Sequence, residues 1–129
     1  MKKTLLTLLL ILSALSALAA NPPPEPGVTP VPARADAIEP YKGVTVELYG
    51  TTWCGYCKKA RVFLKSRNIA YTDYDVEKNP DVYKHFRQIS SSGGVPVLVI
   101  GKYVIGGYQE EAYLKALEAS RPPAGPFKN

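Results

Sequence analysis

From Val44 to Tyr49 the residues run Val-Thr-Val-Glu-Leu-Tyr, an apolar–polar alternation with the period of a half-buried strand. Gly50-Thr51-Thr52-Trp53 then reads as a loop. From Cys57 to Arg67 the spacing becomes helical. Ala60, Phe63 and Leu64 share one side, while Lys58, Lys59, Arg61, Lys65 and Arg67 lie mostly around the others. Ala70 to Asp75 is a second strand. Asn79-Pro80 supplies a cap and a first-turn proline for a helix carrying Val82, Phe86 and Ile89 on one stripe. Val97-Leu98-Val99-Ile100 is wholly apolar, the pattern of a central strand buried on both faces. Gly101-Lys102 fits a two-residue hairpin turn into Tyr103-Val104-Ile105. Gly106-Gly107 ends that strand, and Glu110 to Ala119 closes the domain as a helix with Tyr113, Leu114 and Leu117 facing in. Strand, helix, strand, helix, strand, strand, helix predicts an α/β layered domain, its mixed four-stranded sheet flanked by three helices.

The ends of the chain do not follow these periods. Lys2 and Lys3 precede an almost continuous apolar run from Leu5 to Leu12, and small residues follow to Ala20. Ala17-Leu18-Ala19 fits a small-x-small cleavage site, so residues 1–20 read as a signal peptide. The apolar run is short for a membrane span, which disfavours an uncleaved anchor and stable membrane insertion. Export to the periplasm or the medium is the expectation. Residues 21–40 contain Pro22, Pro23, Pro24, Pro26, Pro30, Pro32 and Pro40 and read as a semi-rigid linker. Residues 121–129, with Pro122, Pro123 and Pro126, form a second extended end. One compact domain remains, residues 41–120, small but sufficient for a single core. The formal charge of +5 is mild and has no aromatic-and-basic array beside it, which argues against a nucleic-acid partner.

The chemistry lies in the only two cysteines, Cys54 and Cys57, set in Trp53-Cys54-Gly55-Tyr56-Cys57-Lys58. Two cysteines separated by two residues can open and close a disulfide reversibly. Zinc needs three or four ligands, and beyond this pair the chain offers the lone His85 and carboxylates, so no metal site is assigned. In an oxidising compartment a structural disulfide is the alternative. Closing so short a loop stabilises little, however, because the stabilisation grows with loop length. A strand that stops at a loop and feeds a helix leaves Cys54 at the helix N-terminus, where unpaired N–H groups and the helix dipole stabilise a thiolate. Cys54 is therefore the expected nucleophile. Cys57, one turn in and more buried, is the expected resolving thiol. His85 on the second helix reads as a surface residue. Lys58, Lys59 and Arg61 read as a solvated basic face that would also attract an acidic substrate.

Ser91-Ser92-Gly93-Gly94-Val95-Pro96 is a second constellation, since a proline is tolerated at the first residue of a central strand and X–Pro bonds admit the cis form. Composition leaves cis and trans open. Taken together, Cys54-Gly55-Tyr56-Cys57-Lys58, Val95-Pro96 and Ile105-Gly106-Gly107-Tyr108, in this spacing, resemble the glutaredoxin family over about Thr45 to Leu117. The resemblance implies a thioredoxin-like fold and glutathione-linked exchange, with no bound cofactor and glutathione as co-substrate. It implies that Val95 offers its backbone to the substrate across a cis Pro96. It also implies that Gly107, Tyr108 and Gln109 hold the γ-glutamyl end of glutathione and that Tyr56 flanks the same groove. The partners implied are glutathione and disulfide-bearing or glutathionylated exported proteins.

Three positions depart from the family pattern. Thr51 stands where a lysine often pairs with a glutathione carboxylate, Gln109 stands where Asp or Ser is common, and Trp53 before Cys54 is similar to the thioredoxin motif. Gly55 replaces a proline usual in dithiol members, and some relatives with glycine there hold a [2Fe–2S] cluster between two subunits. Two alternatives stay open beside the glutathione-linked reading. One is a thioredoxin-like reductase with a dedicated non-glutathione donor; the other is a non-catalytic cluster or metal module at Cys54.

Overall fold

The computed structural model describes residues 25–34 and 41–123. The leader expected over residues 1–20 lies outside the described residues, as do parts of the linker and of the tail. Eight elements follow in chain order: β1 (Val28–Val31), β2 (Val46–Gly50), α1 (Gly55–Ser66), β3 (Tyr71–Asp75), α2 (Pro80–Ile89), β4 (Val97–Ile100), β5 (Tyr103–Gly106) and α3 (Glu110–Ser120). The expected α/β layering is present among the described residues, with a mixed sheet and three helices.

The sheet, however, has five strands rather than four, in the order β1-β3-β2-β4-β5. β2 and β3 run parallel, as the intervening helix requires, and the other pairs are antiparallel. The additional strand, β1, comes from the stretch read as proline-rich linker. Pro30 is one of the prolines that mark this stretch as linker, but a strand with only one neighbour leaves the N–H positions on its outer side free, so proline is tolerated there. β1 pairs with β3 from Val28 opposite Tyr74 to Val31 opposite Tyr71. The Asp75 N–H extends this pairing to the Gly27 carbonyl at 2.7 Å.

Alternation along the central strands divides the core between two faces. Val46 and Leu48 on β2, with Leu98 and Ile100 on β4, pack against Ala60, Phe63 and Leu64 of α1 and Tyr113, Ala116 and Leu117 of α3. Tyr49 and Val97 point the other way, onto Val82 and Phe86 of α2. β4 is apolar throughout because helices cover both of its faces. Ile89 and Leu114, expected to face in, are half-buried at the margins of these clusters. Ends are also as the caps dictate. The Asn79 side chain accepts from the N–H groups of Asp81 at 2.9 Å and Val82 at 3.3 Å, with Pro80 at the first helical position.

Asn79 is itself buried, so its loss leaves two helix donors without a partner. Replacing Asn79 by Ala is expected to destabilise the protein by about 1 kcal/mol, read as a lower urea midpoint with an unchanged slope.

Candidate functional site

β2 ends at Gly50, the chain turns through Thr51, Thr52 and Trp53, and α1 begins at Gly55, two residues earlier than a helix read from Cys57 would imply. Cys54 is the N-cap of α1, in an extended conformation, and its sulfur accepts the Cys57 N–H at 3.2 Å. The capping role that serine or aspartate usually fills thus falls to the candidate nucleophile. The Cys54 sulfur also lies 4.0 Å from the Val95 carbonyl oxygen, which brings the second constellation against the first. Both cysteines are free thiols. Their exposure differs: Cys54 retains 8% of its surface and Cys57 none. Burial, and next the hydrogen bond with Cys54, push the Cys57 thiol well above the usual thiol range, while the Thr51 backbone and the Arg61 charge pull it partly back.

The Val95–Pro96 bond is cis, and Pro96 is fully buried at the head of β4. The Gly107 N–H donates to the Pro96 carbonyl at 2.7 Å, tying the turn after β5 to the proline loop. Gly107 has φ +78°, a conformation that favours glycine. The Tyr113 hydroxyl donates to the Gly107 carbonyl at 2.7 Å, and the Tyr108 ring meets the Tyr113 ring edge-on. Cys54, Val95, Pro96 and Gly107 therefore form one connected cluster.

Tyr56 is 61% exposed, with the Lys59 ammonium 5.1 Å from its ring centroid. Trp53, 68% exposed, donates its indole N–H to the Glu77 carboxylate at 3.0 Å and 3.2 Å. Gln109 caps no helix donor with its side chain, and its amide donates instead to the Gly106 carbonyl at 2.8 Å. Thr51 is buried, and its hydroxyl has no hydrogen-bond partner among the described residues. His85 is exposed, its ring 5.8 Å from that of Tyr49 on the far face of the sheet. Among the described residues no three His, Cys, Asp or Glu side chains converge as metal ligands.

Three further residues, Arg61, Asp73 and Gly50, complete the site. Arg61, read as part of a solvated basic face, is instead drawn inward. Its guanidinium donates to both Asp73 carboxylate oxygens, at 2.6 Å and 3.0 Å, and to the Thr51 carbonyl at 3.1 Å. The spacing from Cys57 to Arg61, one helical turn, was the available signal. Gly50 is the third. A Cβ there would stand 3.0 Å from the Cys57 sulfur and 3.2 Å from its Cβ, so the strand end is glycine because the buried thiol takes that space.

The glutaredoxin family model matches residues 46–105, a stretch that holds Cys54, Cys57, Val95 and Pro96 but neither β1 nor α3. An uncharacterized glutaredoxin-like 8.6 kDa protein in the rubredoxin operon of Clostridium pasteurianum is 33% identical over 73 residues, 57% of this chain and 97% of that protein. Among solved structures, a glutaredoxin from Archaeoglobus fulgidus is 27% identical with a TM-score of 0.52, covering 59% of this chain and 88% of that one. A mutant thioredoxin-like protein is 30% identical with a TM-score of 0.54, covering 57% of this chain and 94% of that one.

Two outcomes follow from the geometry. Brief treatment of the reduced protein with iodoacetamide at neutral pH is expected to modify Cys54 and leave Cys57 unreacted, which peptide mass spectrometry reads directly. Gly50→Ala is expected to cost about 1–3 kcal/mol through overpacking against Cys57, measured by denaturant unfolding of the reduced form.

Proposed function

The chain belongs to the glutaredoxin family, and on that premise we propose that it is an exported thiol–disulfide oxidoreductase. It reduces protein disulfides or glutathione mixed disulfides through the Cys54/Cys57 dithiol. The observation that carries this reading is the placing of the two sulfurs. Cys54 sits at a helix N-terminus, accepts the Cys57 N–H at 3.2 Å and faces the Val95 carbonyl, while Cys57 waits in full burial one turn along.

In the reaction, the Cys54 thiolate attacks one sulfur of the substrate disulfide. A Cys54–substrate disulfide forms as the substrate S–S bond breaks, and the departing sulfur takes up a proton. Cys57 or a glutathione thiolate then attacks the Cys54 sulfur, forming a Cys54–Cys57 or Cys54–glutathione disulfide as the bond to the substrate sulfur breaks and the reduced partner leaves. Further glutathione thiols reduce that disulfide and leave as glutathione disulfide. The helix N-terminus favours negative charge at Cys54 in the first step. In this reading the Val95 backbone beside the sulfur pairs with an extended substrate, and Tyr56 and the turn at Gly107, Tyr108 and Gln109 contact the substrate's flanks. Export rests on the basic, apolar and small-residue order of residues 1–20.

One observation favours a second reading, a thioredoxin-like reductase served by a donor other than glutathione. Thr51 supplies no cation for a glutathione carboxylate and is buried, and the Gln109 amide is already engaged with Gly106.

A coupled assay with glutathione and glutathione reductase on a glutathionylated peptide separates the two. Turnover is expected in the wild type and absent in Cys54→Ser, while Cys57→Ser either accumulates mixed disulfide or keeps monothiol deglutathionylation. Absence of turnover in a protein that still reduces insulin with dithiothreitol would establish the second reading. Full activity in Cys54→Ser would overturn the assignment of the nucleophile.

A further inference from the structure

The exchange chemistry proposed above asks a fully buried thiol to become a nucleophile. Cys57 retains no exposed surface, and burial opposes its ionisation. A cation held near its sulfur would offset that opposition.

Arg61 is so held. Its guanidinium makes three hydrogen bonds, two to Asp73 on β3 and one to the Thr51 carbonyl in the active-site loop, and its side chain is only 19% exposed. The missing side chain of Gly50 bounds its separation from the thiol. The Cys57 sulfur and the Arg61 Nη2 lie 3.0 Å and 3.6 Å from the point where a Cβ on Gly50 would stand. Thiol and guanidinium thus share the gap that the glycine leaves. The other groups facing Cys57 do not supply a positive charge. They are Cys54 on the same helix, Tyr113 on α3, whose hydroxyl donates to the Gly107 carbonyl, and the Thr51 backbone, a neutral group whose hydrogen bond also favours the ionised thiol. Asp73 stands behind Arg61 and holds it, and Lys58 and Lys59 are exposed on α1.

We propose that Arg61, oriented by Asp73, is the positioning residue that lets Cys57 ionise when it resolves the mixed disulfide on Cys54. In that step Cys57 gives its proton to solvent, and its sulfur attacks the Cys54 sulfur. The Cys54–Cys57 bond forms as the bond from Cys54 to the substrate sulfur breaks. The electron pair leaves with the substrate sulfur, which is protonated, so the substrate thiol is reduced and the dithiol oxidised. Arg61 touches neither the substrate nor the bond that breaks.

Stopped-flow reaction of the reduced full chain with Ellman's reagent tests the assignment. Attack by Cys54 gives a concentration-dependent phase, and closure by Cys57 a second, concentration-independent release of thionitrobenzoate. In Arg61→Gln the closure phase is expected to slow about tenfold at neutral pH, with its pH midpoint raised by about one unit. Arg61→Lys keeps the charge and should recover most of the rate. Asp73→Asn loosens the anchor that orients the guanidinium and should raise the midpoint by less than Arg61→Gln does. Rescue by Arg61→Lys, in a protein whose unfolding midpoint matches that of Arg61→Gln, is not what a loosened fold produces. A closure midpoint unmoved in folded Arg61→Gln overturns the assignment. Should Arg61→Gln not fold, an unmoved or lowered midpoint in Asp73→Asn overturns it. Absence of the second phase in the wild type would instead overturn the exchange reading on which the assignment rests.

Discussion

The hydrogen bond from the Cys57 N–H to the Cys54 sulfur, 3.2 Å long, joins the fold to the chemistry. It starts α1, because the first turn of a helix has donors that only something outside the helix can satisfy. It also delivers a dipole and an N–H to the sulfur best placed to carry charge. The two requirements meet in one atom, so the register of α1 fixes the nucleophile. α1 is in turn fixed by Ala60, Phe63 and Leu64 against the sheet, and Pro96 is fixed by its burial at the head of β4. The 4.0 Å approach of the Cys54 sulfur to the Val95 carbonyl thus depends on packing beneath the site.

The same packing makes the two thiols unequal. A few residues apart in sequence, they differ in surroundings because one precedes the helix and the other faces the sheet. The face of α1 that carries Cys57 meets the end of β2, and Gly50 there lets the sulfur come close. A buried thiol in that position is protected from unwanted oxidation, yet under the proposed mechanism it must act when the mixed disulfide forms. The Arg61–Asp73 pair, only partly exposed on both sides, is the local charge through which protection and reactivity are reconciled. β1 bears on this as well. Thr29 is the register partner of Asp73, so the additional strand covers the edge on which that carboxylate sits.

Much of this was legible in the residues. The spacing of Ala60, Phe63 and Leu64, the apolar run of β4 and the Asn79-Pro80 cap each record a local constraint, and each appears where the period places it. The pairing of Val95-Pro96 with the cysteine motif was legible only through resemblance, since no local rule joins residues 41 positions apart. β1 was missed because prolines report what a strand's own hydrogen bonds forbid, whereas an outer strand leaves those bonds unneeded. Arg61 was misjudged for a related reason. A basic residue on an amphipathic helix is usually solvated, and what draws this one inward is Asp73, on a different element. Gly50 carried its information silently, as glycine does when a neighbour occupies the place of a side chain.

Charge placement, more than the fold, decides which thiol donor the site suits. Glutathione presents two carboxylates and an ammonium, and a groove that selects it needs fixed partners for each. Arg61, beside the loop, is engaged by Asp73, and Thr51 is neutral and enclosed, so cations near Cys54 come from Lys58 and Lys59, exposed on α1. Long exposed lysines attract an anion without fixing its geometry, whereas a paired, half-buried guanidinium would fix it. The opposite side of the nucleophile carries Trp53 held by Glu77, an apolar and acidic surface. A small tripeptide gains little from a broad indole, but a protein partner presenting a disulfide on a loop would cover it. Under the proposed function, the asymmetry around Cys54, basic on the helix side and aromatic on the other, would suit extended macromolecular disulfides as substrates. In that reading glutathione would be a co-substrate drawn in by diffuse positive charge.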